Sequence, residues 1–315
     1  SANTTGTLNV AVGNRALRSN TTASYNTGVG YKALDVNTTG AENTAMGYNA
    51  LAANTTASNN TAFGSVALDA NTTGTGNTAV GAAALSNSTT ASYNTAVGHD
   101  ALNDTTTGAE NVAVGNLALQ YNTTGTHNVA VGASDASSGA TLGTNSTGSQ
   151  NTAIGMQALK ANTTADNNTA VGYRSLYANT TGASNVAVGS LALDANTTGY
   201  YNNAFGYGAM GANTTGVQQV AVGFEALTAS TTGNYNVAIG NYALHANTTA
   251  SQNTAIGYAS LDVNTTGANN TAVGMHSLGA NTTGTENVAV GAYALDALTT
   301  GSYSVAIGYN ALTAQ

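Results

Sequence analysis

The sequence predicts an all-β chain, a parallel β-solenoid of 17-residue coils with two short strands in each coil. Three observations predict it. A glycine returns at Gly13, Gly30, Gly47, Gly64, Gly81, Gly98, Gly115 and Gly132, and again from Gly155 through Gly172, Gly189, Gly206, Gly223, Gly240, Gly257, Gly274 and Gly291 to Gly308. Every step is 17 residues except Gly132 to Gly155, which is 23. Apolar residues hold fixed positions relative to that glycine, and an Asn-Thr-Thr-Gly or Asn-Thr-Thr-Ala cluster separates one apolar run from the next. A sustained short period is the mark of a stacked array, and turn clusters this frequent leave no room for helices of ordinary length.

The elements follow in order along one coil. The first strand is Asn-Thr/Val-Ala-Val-Gly. The residue before the glycine is always apolar, as at Val12, Met46, Phe63, Ile154, Phe205 and Ile307. The residue two before is Ala except at Gly28, three before is Thr or Val except at Asn203, and four before is Asn except at Gln219 and Ser304. The second strand is the next four or five residues. It ends in Ala-Leu, with Leu17, Leu34, Leu51 and Leu295 four after their glycines and Met210 in the same position. The Asn-Thr-Thr cluster is the return corner, where Asn and Gly tolerate positive φ and Asn and Thr side chains bond local backbone groups. Fixing one coil costs far more backbone entropy than its two large apolar side chains recover, so coils must stack to fold.

Composition bounds the rest. Charged residues are 6% of the chain and the net charge is -8, without any acidic or basic run. Five Lys and Arg cannot form the basic stripe that nucleic acid requires. The 42% hydrophobic content at fixed phase argues for a packed core rather than disorder. There is no cysteine, which excludes disulfides and thiolate metal sites. No apolar run reaches the roughly 18 residues of a membrane helix, and Ser1 opens no signal peptide. Residues 1–315 read as a single solenoid segment of a longer or processed protein, because both ends fall in mid-coil.

In the first strand Val and Ala are adjacent and point to opposite faces, and neither position takes a charge. A strand apolar on both faces is usually covered on both. The expectation is that Val and Leu fill the coil while the Ala face meets another chain, giving a homo-oligomer. One irregularity interrupts the period. Residues 133–144 read as a six-residue insertion that replaces the Ala-Leu strand with a surface loop.

The runs Asn-Thr-Ala-Val-Gly, Asn-Val-Ala-Val-Gly and Ser304-Val305-Ala306-Ile307-Gly308 resemble the head repeats of YadA-like trimeric autotransporter adhesins. That resemblance implies a left-handed parallel β-roll, trimerised side by side on a bacterial surface. The longer pattern at Asn253 to Gly267 also resembles repeats of phage tail-fibre-like proteins, in which a C-terminal self-cleaving chaperone domain often follows. The likeness covers nearly the whole chain but rests on a short motif. The unit here is longer than the usual adhesin head unit by its Asn-Thr-Thr corner.

Catalysis needs unlike groups converging on one place, and the candidates are dispersed. His99, His127, His245 and His276 occupy different phases and form neither a ladder nor a metal pair. Asp35, Asp69, Asp194, Asp262 and Asp296 share the phase five after glycine but never in adjacent coils, as solvated corner charges would. Tyr31, Tyr48, Tyr173, Tyr207, Tyr258 and Tyr309 follow their glycines directly, and Tyr25, Tyr93, Tyr201, Tyr235 and Tyr303 lie five before theirs. Both groups are expected at the surface or at a seam between chains. The corners at Asn3, Asn20, Asn37, Asn54, Asn71 and beyond also match the N-glycosylation sequon, although stacked Asn and Thr ladders explain them as well.

The sequence therefore points to no enzyme, no cofactor, no metal and no catalytic residue. It points to a structural repeat segment of an extracellular surface fibre or adhesin, located at a cell surface or in a virion tail fibre. The partners expected are further copies of the chain, three in number by the resemblance, with a cell-surface glycan or another surface target as the attachment partner. The alternatives are a phage tail-fibre shaft and an ice-binding solenoid whose paired threonines order water.

Overall fold

The computed structural model describes residues 3–132 and 139–313. The chain divides into two compact units, Ser1–Ala165 and Asp166–Gln315. Both units are built alike, with parallel strands of three residues and no helix among the described residues. The first unit holds β1 (Val10–Val12), β2 (Thr27–Val29), β3 (Thr44–Met46), β4 (Thr61–Phe63), β5 (Thr78–Val80), β6 (Thr95–Val97), β7 (Val112–Val114), β8 (Val129–Val131) and β9 (Thr152–Ile154). The second holds β10 (Thr169–Val171), β11 (Val186–Val188), β12 (Asn203–Phe205), β13 (Val220–Val222), β14 (Val237–Ile239), β15 (Thr254–Ile256), β16 (Thr271–Val273), β17 (Val288–Val290) and β18 (Val305–Ile307). Each strand pairs in parallel with the next in its unit, Thr78 opposite Thr95 and Val237 opposite Thr254, so like residues form columns. The predicted β-solenoid of 17-residue coils is what the chain forms.

The Leu column is inside, as the sequence indicates. Leu34, Leu51, Leu193 and Leu227 are fully buried, and Met210 takes the same place. The strand is turned the other way from the expectation. Ala45, Ala62, Ala221 and Ala238 are completely buried, whereas Phe63, Val222 and Ile239 on the same strands face out. The physical reason is width. A Cβ placed on Gly28, the single non-Ala residue of that column, would lie 3.3 Å from Leu17 Cγ. The inward methyl therefore touches the leucine of the adjoining coil directly, and nothing larger than Ala fits.

The segment after the glycine also differs from the expected second strand. It is a run of overlapping tight turns. In one coil Ala33 N–H donates to Gly30 O, Asp35 N–H to Lys32 O and Asn37 N–H to Leu34 O, at 3.3 to 3.4 Å. The third residues of the first two turns, Lys32 and Leu34, have φ of 57° and 52°, as type II turns require. The intervening amides bond between coils: Lys32 N–H to Asn14 O and Leu34 N–H to Ala50 O. Holding a leucine in the left-handed region costs roughly 1–2 kcal/mol. Burying it returns roughly 1.5–3 kcal/mol, and the same turn places it in the core.

Two asparagine columns close the interior. Asn37 Nδ2 donates to Asn20 Oδ1 at 3.0 Å and to Gly40 O at 2.9 Å, and Asn54 repeats both bonds one coil on. The asparagine before each strand links coils differently. Asn26 Oδ1 accepts from Asn43 N–H at 2.9 Å, and Asn26 Nδ2 donates to Gly40 O. Both columns are buried, and such polar groups are tolerable inside only because they are bonded. Where the corner residue is not asparagine, the ladder breaks. Ser88 follows Asn71 in this column, and both Asn71 Oδ1 and Ser88 Oγ are buried without a partner. One break is repaired from the other column. Ser230 occupies a corner position, and Gln219, one methylene longer than the usual asparagine, reaches Asn213 Oδ1 at 3.1 Å in its place.

The glycine that sets the period has φ between 121° and 157° among the described residues. A Cβ on Gly223 would stand 2.6 Å from Gly240 C and O, so conformation and coil stacking both demand glycine. Stacking of the described residues continues on both sides of the insertion. β8 and β9 pair with Val129 opposite Thr152. Leu119 N–H donates to Thr141 O and Leu142 N–H to Ala158 O, which puts the buried Leu142 in the leucine column. The expectation that 133–144 replaces the Ala-Leu segment is corrected for its second half, since Thr141 and Leu142 supply that segment. Residues 133–138 lie outside the described residues.

Candidate interaction face

Each strand turns its first and third residues outward. In the second unit this face carries Val186, Val188, Phe205, Val220, Val222, Val237, Ile239, Ile256, Val288 and Val290, with Asn203, Thr254 and Thr271 between them. Most of the third-position residues expose over a third of their surface, among them Phe205 at 41% and Ile239 at 38%. No charged residue occurs in either outward column.

Beside the strands the turn residues add an aromatic column. Tyr207 stacks on Phe224 with ring centroids 5.4 Å apart and planes at 11°. The contacts continue through Tyr242, Tyr258, His276 and Tyr293 to Tyr309, one ring per coil. Tyr207, Phe224, Tyr258 and Tyr309 are exposed. Among the described residues the first unit has a single such contact in this column, Tyr31 stacked on Tyr48 at 5.5 Å. The expected surface position of the tyrosines after glycine is therefore correct, and so is that of the group five before, whose members Tyr25, Tyr93, Tyr201, Tyr235 and Tyr303 are all exposed.

Of the other histidines and aspartates singled out by sequence, only His245 and Asp262 come within ion-pair distance of each other among the described residues. His99 Nδ1 lies 3.0 Å from Asp100 Oδ2, and His127 Nε2 lies 2.7 Å from Glu110 Oε2. His245 sits between Glu225 and Asp262 at 3.6 and 3.7 Å, while His276 stacks on Tyr293. Among the described residues no group of three or more His, Asp or Glu is arranged to hold a metal ion, and no helix is long and apolar enough to cross a membrane.

The aspartates five after glycine are not all solvated corner charges. Asp35 is buried and ion-paired with Arg15 and Arg18, both at 2.9 Å. Burial raises the carboxyl pKa of Asp69, Asp194 and Asp262; Arg174 opposes the rise at Asp194, and His245 and His276 oppose it at Asp262. The corner asparagines are closed off, since their amides are committed to the ladder. The corner threonine pair is split: Thr21 donates its hydroxyl to Thr38 O at 3.1 Å, and Thr22 is exposed.

What the fold leaves available is thus an apolar face and an aromatic column, with polar chemistry spent on holding coils together. Sequence reasoning found the two-faced strand but assigned its faces in reverse. The signal that could have decided between them was size, because the inward column is uniformly Ala while the outward one ranges from Val to Phe. No protein-family model and no curated protein matches the chain.

Proposed function

We propose that this chain is a non-enzymatic structural segment of an extracellular fibre or adhesin, in which parallel copies pack side by side through the outward strand face. The observation that carries the reading is that face itself. Monomers rarely leave large contiguous apolar patches in water. In the second unit Tyr207, Phe224 and Tyr258 stand two residues after Phe205, Val222 and Ile256, and all six are exposed, so the aromatic column and the strand face supply apolar surface in the same coils. The strand columns carry no charge and are flanked by aromatics, the composition of an interface core, and a second copy of the same chain offers a matching face. Closed rotational symmetry covers such a stripe without endless growth. The number three comes from the adhesin resemblance, and a tail-fibre shaft would use the same face in the same way.

Light scattering on the purified chain tests the proposal. The expected mass is a small integer multiple of 30.9 kDa, and Ile239→Glu is expected to reduce it to the monomer. A wild-type monomer at micromolar concentration overturns the assembly. Ice binding is a second reading, drawn from the outward Thr27, Thr44, Thr61, Thr78 and Thr95 on five successive strands. The absence of thermal hysteresis would dismiss it.

A further inference from the structure

The structure separates two kinds of glycosylation sequon that the sequence does not distinguish. In the corner sequons the acceptor amide is inside the coil. Asn37, Asn54, Asn196 and Asn213 are completely buried, and each donates from Nδ2 to the neighbouring asparagine and to a backbone carbonyl. A sugar on that nitrogen would remove both donors and could not be housed. Three other sequons read Asn-Asn-Thr, at Asn59, Asn167 and Asn269. All three asparagines are exposed and have φ of 59° to 63° at the bend that precedes a strand. No hydrogen bond among the described residues engages their side-chain amides. The threonine of each sequon, Thr61, Thr169 or Thr271, stands on the outward strand face.

We propose that Asn59, Asn167 and Asn269 are the acceptors of N-linked sugar in this protein, and that the corner asparagines are not. Their column shows that it has room. The same position five before glycine holds Tyr25, Tyr93, Tyr201, Tyr235 and Tyr303, each more than half exposed, with Tyr303 at 76%. A bulky group attached here projects from the ridge without displacing a core contact. Asn87 and Asn103 also begin sequons, but Asn87 Nδ2 donates to Asp104 Oδ1 at 2.9 Å and Asn103 Nδ2 to Ala83 O at 3.1 Å, so neither is assigned. The donor is an oligosaccharide activated as a lipid pyrophosphate. The amide nitrogen bonds to the anomeric carbon and the carbon–oxygen bond to phosphate breaks. The lipid pyrophosphate leaves with the electron pair, and the amide gives up one proton to a base. No redox partner is involved.

This assignment rests on the extracellular placement proposed above. The test secretes the whole chain from a eukaryotic cell behind a cleavable leader, then removes N-glycans with an amidase in heavy-oxygen water, which tags each formerly occupied asparagine. The expected result is tags at Asn59, Asn167 and Asn269 and none at the corners in protein that shows β-sheet circular dichroism. Thr61→Ala is expected to erase the tag at Asn59 and leave the other two. Corner tags confined to an aggregated fraction without that dichroism fit the proposal, because a sugar there blocks the ladder. Corner occupancy in folded protein overturns it, as does folded protein without a tag at these three sites. Light scattering on the same sample keeps the two readings apart, since assembly without sugar rejects only the acceptor assignment.

Discussion

At the scale of single residues the fold is a set of columns, and each column has a rule that one substitution can test. Ser88 interrupts the corner asparagine ladder and leaves two buried oxygens without partners. Ser88→Asn restores a donor to Asn71 Oδ1 and to the carbonyl of Ala91, as Asn71 supplies to Asn54 and Gly74. A gain of about 1 kcal/mol is expected from one hydrogen bond regained and one orphaned acceptor satisfied, read as a higher melting temperature; a fall would mean that the coil there has closed around serine. Asp69 is the second case. Burial raises its pKa above the ordinary 3.8, against the pull of the backbone N–H groups of Asp69 and Ala70. A raised carboxyl contributes stability that is fully present below the ordinary value and is lost as pH rises through the folded value. At neutral pH the ionised form is therefore a cost. Asp69→Asn is expected to melt higher than wild type at pH 7, with the difference shrinking as pH falls toward 3.8. An equal difference at both pH values would refute the assignment to charge. The stacked asparagine ladder was legible as one explanation of the repeated corners, and the structure bears it out; the cost of Asp69 was not, since a corner aspartate looks solvated until its burial is known.

At the scale of the element, the strand was found by its phase and misread by its face. Alternation says that Ala and Val point apart, and only the depth of the coil says which points in. The second segment was located correctly and its form was not, because a leucine at positive φ has no sequence signal: the preference of the side chain is against it, and the stacked coil overrides that preference. Gly28 is the position where the strand's packing can be read directly. It is the single gap in the described Ala column, its Cβ would lie 3.2 Å from Ala33 O and 3.3 Å from Leu17 Cγ, and its φ is not in the left-handed region. These contacts are tight, but the neighbouring Ala45 sits fully buried in the same column with its leucine in place. Gly28→Ala is therefore expected to stabilise the first unit by about 0.4–1 kcal/mol through reduced freedom of the unfolded chain, and denaturant titration would show a higher midpoint at unchanged slope. A lower midpoint would show that Leu17 cannot yield the few tenths of an ångström needed.

At the scale of the whole molecule, what holds a coil and what joins one chain to another are carried by adjacent residues on opposite sides of the same strand. Ala221 is completely buried between strand and leucine turn, while its neighbour Val222 exposes 37% of its surface on the outward face. Glutamate at the two positions should therefore do two different things. At Ala221 it adds volume where only a methyl fits and places an unpaired charge in a dry interior, a cost of several kcal/mol. Because each coil leans on its neighbours, that damage spreads along the stack, and the variant is expected to lose cooperative melting of the second unit. At Val222 the carboxylate stays in water in the isolated chain, and the coil beneath it is undisturbed. There the expected change is in mass alone, with the circular dichroism of a folded β chain and a monomer by light scattering, since the charge would be desolvated only when a second copy covers the face. If both variants unfold alike, the outward face belongs to the core of the single chain. If Val222→Glu remains fully assembled, the copies meet through some other surface, and the apolar stripe must be explained by a different partner.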